Sequence, residues 1–125
     1  MPIYIISNEN FIPANGVVDG SGTENNPYII ENYSINAENA HGIWIRNTTA
    51  YFIVRNCMIE NGVDNYYGIY LENVVNGRVE SCISRNNYEG IHQRYSFYTS
   101  ISHNTFESNH DDGIHISDSS YTFIS

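Results

Sequence analysis

Gly42-Ile43-Trp44-Ile45, Gly68-Ile69-Tyr70-Leu71, Gly90-Ile91-His92-Gln93 and Gly113-Ile114-His115-Ile116 are four versions of one phrase, Gly-Ile-Xaa-Ile, with Leu and Gln each taking the last place once. The phrase returns at intervals of 26, 22 and 23 residues. A period of this length marks a repeat architecture, in which each unit buries its apolar face against the next. A second anchor stands eleven residues after each glycine, at Ile53, Val79, Ile101 and Ile124. The variation in length is therefore expected after that anchor, in loops such as Gly62-Val63-Asp64-Asn65-Tyr66, because loops absorb insertions and cores do not.

The repeats read as strands. Their apolar segments are short, β-branched and alternating. Asn, Gly and Ser interrupt every few residues and would end any helix. The Leu and Ala that drive helical or leucine-rich repeats are scarce. The fold that remains is all-β: a parallel β-helix, a single-stranded solenoid of about five coils, each holding roughly three short strands. At a strand spacing of ~4.8 Å the body would be roughly 24 Å long. One domain over 1–125 is expected, with an N-terminal segment over 1–27 and regular coils over 28–125, the last incomplete.

The opening segment carries a strand at 2–7 and then turn chemistry at Asn15-Gly16, Asp19-Gly20-Ser21-Gly22 and Asn25-Asn26-Pro27. Ile35 precedes Gly42 by seven residues, as Ile83 precedes Gly90 and Phe106 precedes Gly113. Residues 28–41 thus look like the tail of a repeat whose Gly-Ile head is replaced by the Gly-rich opening. Stacking predicts columns: Ile43, Ile69, Ile91 and Ile114 pointing inward, and Ile45, Leu71, Gln93 and Ile116 beside them. A buried Gln93 needs partners, and neighbouring Gln or Asn side chains are the expected ones. Asn56, Cys82 and Asn104 share one offset, where Asn can bond from coil to coil. Cys57 and Cys82 read as buried free thiols on adjacent coils, with a disulfide as the alternative.

These residues resemble a known group. The Gly-Ile-Xaa-Ile phrase, followed by Asn104-Thr105-Phe106-Glu107-Ser108-Asn109, is similar to the right-handed parallel β-helix repeats of NosD-like and pectin-lyase-like proteins. The opening Asp19-Gly20-Ser21-Gly22-Thr23, with Asn26-Pro27-Tyr28-Ile29-Ile30-Glu31, looks like the start of such domains in archaeal cell-surface proteins. The resemblance covers nearly the whole chain. It implies the right-handed fold and a place outside the cell or on its surface. It does not imply one activity, since a β-helix hosts many.

Composition narrows the partners. Fourteen acidic residues face five Arg and no Lys, for a formal charge of −9. Such a surface repels nucleic acid and anionic membranes. Met1-Pro2-Ile3-Tyr4 has no basic start and no apolar run is long enough to span a bilayer, so the chain itself carries no targeting segment and no membrane insertion is expected.

The candidate ligand-binding residues are Trp44, Tyr70, His92 and His115. Each lies two after its glycine, facing outward, so together they should form an exposed stripe of rings suited to the apolar faces of sugars. Tyr66, Tyr67, Tyr88 and Tyr95 would widen it. Aromatic pairs that merely stabilise the sheet face are the competing explanation. His92 and His115, with His110, Asp111 and Asp112 in the loop before, offer imidazole and carboxylate, but no close His spacing fixes a geometry. No metal and no cofactor are assigned. Asp111-Asp112 is the one adjacent carboxylate pair, and Arg94 lies beside Glu72. Adjacent strand residues diverge, so no catalytic residue is assigned.

Function is expected to be non-enzymatic: an extracellular or cell-surface structural module that self-associates through its open coil ends, as a dimer or filament, with polysaccharide as a second partner. A carbohydrate-binding or carbohydrate-active protein of pectin-lyase-like type is the alternative, and a metal-binding NosD-like protein the third. Both ends carry the argument, since the sequence begins in Ile3-Tyr4-Ile5-Ile6 and closes on Tyr121-Thr122-Phe123-Ile124: these strand edges belong either to a longer β-helix of which this is a fragment or to ends that stack on another chain.

Overall fold

A computed structural model describes all residues, 1–125. Fourteen strands wind through three parallel sheets. The first turn is β1 (Ile3–Ile5), β2 (Tyr28–Glu31) and β3 (Ser34–Asn36). The second is β4 (Ile43–Thr48), β5 (Phe52–Arg55) and β6 (Met58–Glu60), and the third β7 (Ile69–Val74), β8 (Gly77–Glu80) and β9 (Ile83–Arg85). The fourth is β10 (Ile91–Arg94), β11 (Phe97–Ser102) and β12 (Thr105–Glu107), followed by β13 (Ile114–Ser117) and β14 (Ser120–Ile124). The solenoid therefore has four full turns and two strands of a fifth. The first sheet runs β1-β4-β7-β10-β13, the second β2-β5-β8-β11-β14 and the third β3-β6-β9-β12.

The glycine phrases set the first sheet in register. Ile3, Ile43, Ile69, Ile91 and Ile114 form one inward column, and Ile5, Ile45, Leu71, Gln93 and Ile116 the next. Fully burying each such side chain stabilises the fold by roughly 1.5–3 kcal/mol. The glycine is demanded by close packing. A Cβ on Gly42 would strike the Ile59 side chain and the Gly68 carbonyl, and one on Gly68 would strike Ser84 and Asn87. The first turn does not lack its head. β1 occupies that place, paired with β4, and residues 6–27 form a long corner that includes two short 3-10 turns, Asn8–Asn10 and Pro13–Asn15.

The second anchor is displaced by one residue in the second turn. Val54, not Ile53, pairs in column with Ile30 and Val79, and Ile53 stands opposite Arg78 on the outer face. The cause is the corner before β5. Three residues, Thr49 to Tyr51, separate Thr48 from Phe52, whereas two, Val75 and Asn76, separate the matching Val74 from Gly77. Length thus also varies ahead of the anchor. The slip carries into the third sheet, where the inner column is Ile35, Ile59, Ser84 and Phe106. Ile83 faces outward for a different reason: Ser84, not Ile83, shares with Phe106 the offset of sixteen residues from its glycine, the connection on to Gly90 is one residue shorter than that on to Gly113, and Ser84 is fully buried.

The same slip puts Cys57, not Asn56, in column with Cys82 and Asn104, as the pairs Met58–Ile83 and Ile83–Thr105 require. Both thiols are buried and unbonded. Asn56 belongs to a different column, with Asn32, Ser81 and His103. Asn32, Asn56, Ser81 and His103 are each a single left-handed residue (φ 67, 53, 56 and 56° in that order) that turns the chain between the second and third sheets. Asn and Ser tolerate that conformation better than bulky residues. Asn104 and Asn109 staple successive turns. Their Oδ1 atoms accept from the Cys82 and Asn87 amides (2.8 and 3.0 Å), and their Nδ2 atoms donate to the Val79 and Ser84 carbonyls (3.0 and 3.1 Å).

The inner columns are almost wholly apolar in the first two turns, admit Ser84 in the third and turn polar in the fourth at Gln93 and Thr99. Phe52 is fully buried, and its ring fills the space that Gly77 leaves in the next turn. Above that pair the column continues as Thr99 and Thr122. Gln93, fully buried, finds its partners there and not in Gln or Asn: the Thr99 hydroxyl donates to its Oε1 and its Nε2 donates to the Thr122 hydroxyl, each at 3.0 Å.

Candidate functional site

The outer face of the first sheet and the corner that leads into it hold the chain's one Trp, five of its eleven Tyr and four of its five histidines. Register places Tyr4, Trp44, Tyr70, His92 and His115 in one column. All four expected residues are brought together, and Tyr4 joins them because β1 completes the first turn. The rings touch along the column, with centroids 4.7 Å apart for Tyr4–Trp44, 5.2 Å for Trp44–Tyr70 and Tyr70–His92, and 4.8 Å for His92–His115.

The stripe is not freely exposed. A second row, one residue before each glycine, covers part of it: His41, Tyr67, Glu89 and Asp112, whose carbonyls from Tyr67 onward accept from the glycine amide of the turn below. Tyr67 is the central cover, stacked 4.8 Å from His41 and 4.2 Å from His92. The His41 Nδ1 accepts from the Tyr67 amide at 2.9 Å, and burial lowers the His41 pKa. Tyr70 is left 8% exposed and the His92 side chain 13%. Of the tyrosines expected to widen the stripe, Tyr66, Tyr67 and Tyr88 lie at this corner. Tyr95 lies at the far edge of the sheet, under the Arg94 guanidinium.

Two places on this face remain open. Near the first turn, Tyr4, Ala40, His41, Trp44 and Tyr66 line a mostly apolar pocket of about 280 Å³. Tyr4 is 48% exposed there, and Arg46 sits 5.1 Å above the Trp44 ring. The indole Nε1 of Trp44 is buried without a hydrogen-bond partner.

The second open place centres on Glu89, a residue that no sequence motif singles out. It lies in Tyr88-Glu89-Gly90, and its position one before the glycine, in a column shared with His41 and Tyr67, is the signal that marks it. Glu89 is 2% exposed. Its Oε1 is 2.6 Å from the His92 Nδ1, and its Oε2 is 3.4 Å from the His115 Nδ1. The Asp112 Oδ2 lies 3.1 Å from the same His115 nitrogen. Asp111 and Asp112 do not diverge as adjacent strand residues would. Both belong to a turn, and each brings an oxygen within 4.8 Å of the Glu89 carboxylate. Burial, then the Asp111 carboxyl, raise the Glu89 pKa to about 7, while burial and the neighbouring His115 lower that of His92 to about 4. His110 stands apart from this group, paired at 2.9 Å with Asp64.

The winding, the stacked columns and the asparagine staples agree with a comparison against known families: the profile described as right handed beta helix region matches residues 3–125. The chain is a member of the right-handed β-helix family. No curated protein and no solved structure matches it. Membership fixes the β-helix scaffold of this chain.

Proposed function

We propose that this β-helix is a non-enzymatic module of the cell exterior that binds polysaccharide at the first-turn end of its aromatic face. The observation that carries the reading is the pocket between Tyr4, His41, Trp44 and Tyr66. A concave, largely apolar wall of rings with a few polar atoms suits a small ring-shaped ligand, and the flat faces of Tyr and Trp complement the C–H faces of a sugar. The stack from Trp44 to Tyr67 holds these rings rigid, so binding would order few side chains. The acidic surface, formal charge −9, favours neutral glycans over polyanions. The test is glycan binding by wild type, Trp44→Ala and Tyr4→Ala. Loss of at least about ten-fold in affinity in both variants is expected, and a Trp44→Ala protein that binds as wild type does would sink the reading.

Self-association is a second reading, and β14 supports it. Tyr121, Phe123 and Ile124 are 63, 68 and 52% exposed on this edge strand. Exposed apolar strand edges promote pairing with another chain. Light scattering of the 125-residue chain across a dilution series separates a dimer or growing polymer from a monomer, and a monomer at high concentration would remove this second role.

A further inference from the structure

One charged cluster on this solenoid is reached by no arginine. All five arginines are engaged elsewhere: Arg46 with Glu72, Arg55 with Glu31, Arg78 with Glu80, and Arg85 with Glu60 and Glu107. Arg94 donates to the Tyr95 hydroxyl and stands in register beside Glu72. There is no lysine. Glu89, Asp111 and Asp112 therefore converge with only two imidazoles for company. Three carboxylates gathered in this way, one of them buried, call for a cation among them.

The donors are arranged to hold one. His92 and His115 are parallel to within 14° and present Nδ1 to the same carboxylate. One donor atom each from Glu89, His92 and His115 lies within 4.8 Å of the other two. The contacts among them, 2.6 and 3.4 Å to Glu89 and 3.1 Å from His115 to Asp112, run from hydrogen-bond length up to the separation of about 3.4 Å that tetrahedral zinc imposes on ligands held at about 2.1 Å. His92 is clamped between the Tyr67 and His115 rings, at 4.2 and 4.8 Å, so its orientation is set in advance. Asp111 stands behind Glu89 as an outer carboxylate. The side chains of His115 and Asp112 are 41 and 52% exposed, which opens the cluster to solvent on one side.

We propose that Glu89, His92 and His115, with Asp112 as fourth donor, bind a divalent transition cation of the zinc class. Two nitrogen donors disfavour calcium and magnesium, which take oxygen ligands. The cation replaces the protons shared between carboxylate and imidazole and neutralises the corner. This site is separate from the polysaccharide pocket, which uses Trp44 two turns away.

The experiment is calorimetric titration of tag-free, EDTA-stripped protein with zinc chloride slightly above neutral pH, with circular dichroism confirming the fold of each variant. One zinc per chain is expected, with a micromolar or tighter Kd and a raised Tm. Glu89→Gln, which keeps the shape, and His115→Ala, at a half-exposed position, should each weaken binding by at least about ten-fold. His110→Ala and Trp44→Ala should bind as wild type does, the latter whether or not it loses glycan. Cobalt substituted into the site should show the intense visible bands of tetrahedral coordination. No saturable binding, or binding that Glu89→Gln and His115→Ala leave unchanged, overturns the proposal.

Discussion

Three ladders of charge climb this solenoid in alternating sign, while the corner at Glu89 gathers carboxylates of one sign. Glu31–Arg55–Glu80, Glu60–Arg85–Glu107 and Arg46–Glu72–Arg94 each follow the register of neighbouring turns. Stacking sets equivalent residues ~4.8 Å apart, so a column multiplies whatever charge it carries. A column of charges must alternate, or it must recruit protons or a counter-ion. The ladders take the first course and are open to solvent. The Glu89 corner takes the second, and its two central groups, Glu89 and His92, are largely buried at its base, which is why their pKa values are displaced.

The comparison breaks most sharply if a ladder is made to resemble the corner. Arg46→Glu would set two carboxylates against each other at Glu72 and remove the guanidinium from the Trp44 ring. A loss of about 1–2 kcal/mol in urea unfolding is expected, partly restored by added salt. An unchanged midpoint would mean that ladder charge has no bearing on stability.

The corner can be opened the other way by pH. In metal-free protein, Glu89 titrates near 7 in the fold against about 4.5 in an unfolded chain, so its ionisation costs stability as pH rises between those values. His92 is the opposite case. Its pKa near 4 lies below its unfolded value, so stability rises with pH up to about 6.5. The two slopes cancel between about pH 4.5 and 6.5, because the hydrogen-bonded pair carries about one proton in either state. Stability should be nearly flat there. His92→Asn leaves Glu89 alone, and its stability should fall by on the order of 1 kcal/mol across that window. A flat profile in the variant would show that the pair does not share its proton.

The smallest effect is expected beside a ladder, at an exposed arginine that stands in none of the three columns. The Arg78 side chain is 53% exposed and bonded at 3.0 Å to Glu80 on the same strand. Arg78→Ala should shift stability by no more than about 0.5 kcal/mol. A larger change would place that arginine among the residues that hold the turns together.

The legibility of these features in the sequence follows from what anchors register. Gly-Ile-Xaa-Ile announces itself because at Gly42, Gly68 and Gly90 the carbonyl of the next turn's glycine approaches so closely that no side chain fits. The first-sheet columns, the stacked winding and the outward ring column are therefore readable without coordinates. Register decays with distance from the glycine. One added residue between Thr48 and Phe52 moves Ile53 and Asn56 out of their expected columns, one residue fewer between Ser84 and Gly90 than between Phe106 and Gly113 does the same for Ile83, and such corner residues leave no mark on composition or periodicity. Glu89 was hidden for another reason. Alone it is a loop glutamate, and its chemistry exists only once the next turn brings His115, Asp111 and Asp112 to it.

The fit of Phe52 into the space at Gly77 bears on how such a chain can lengthen or shorten over evolutionary time. A repeat array invites copying of whole units, but these two turns are keyed to each other as bulge and hollow. A duplicate unit spliced between them would separate the ring from its hollow and present it with a side chain. Recombination across this joint is therefore penalised, so the two turns should be inherited as one indivisible block while additions accumulate elsewhere along the axis.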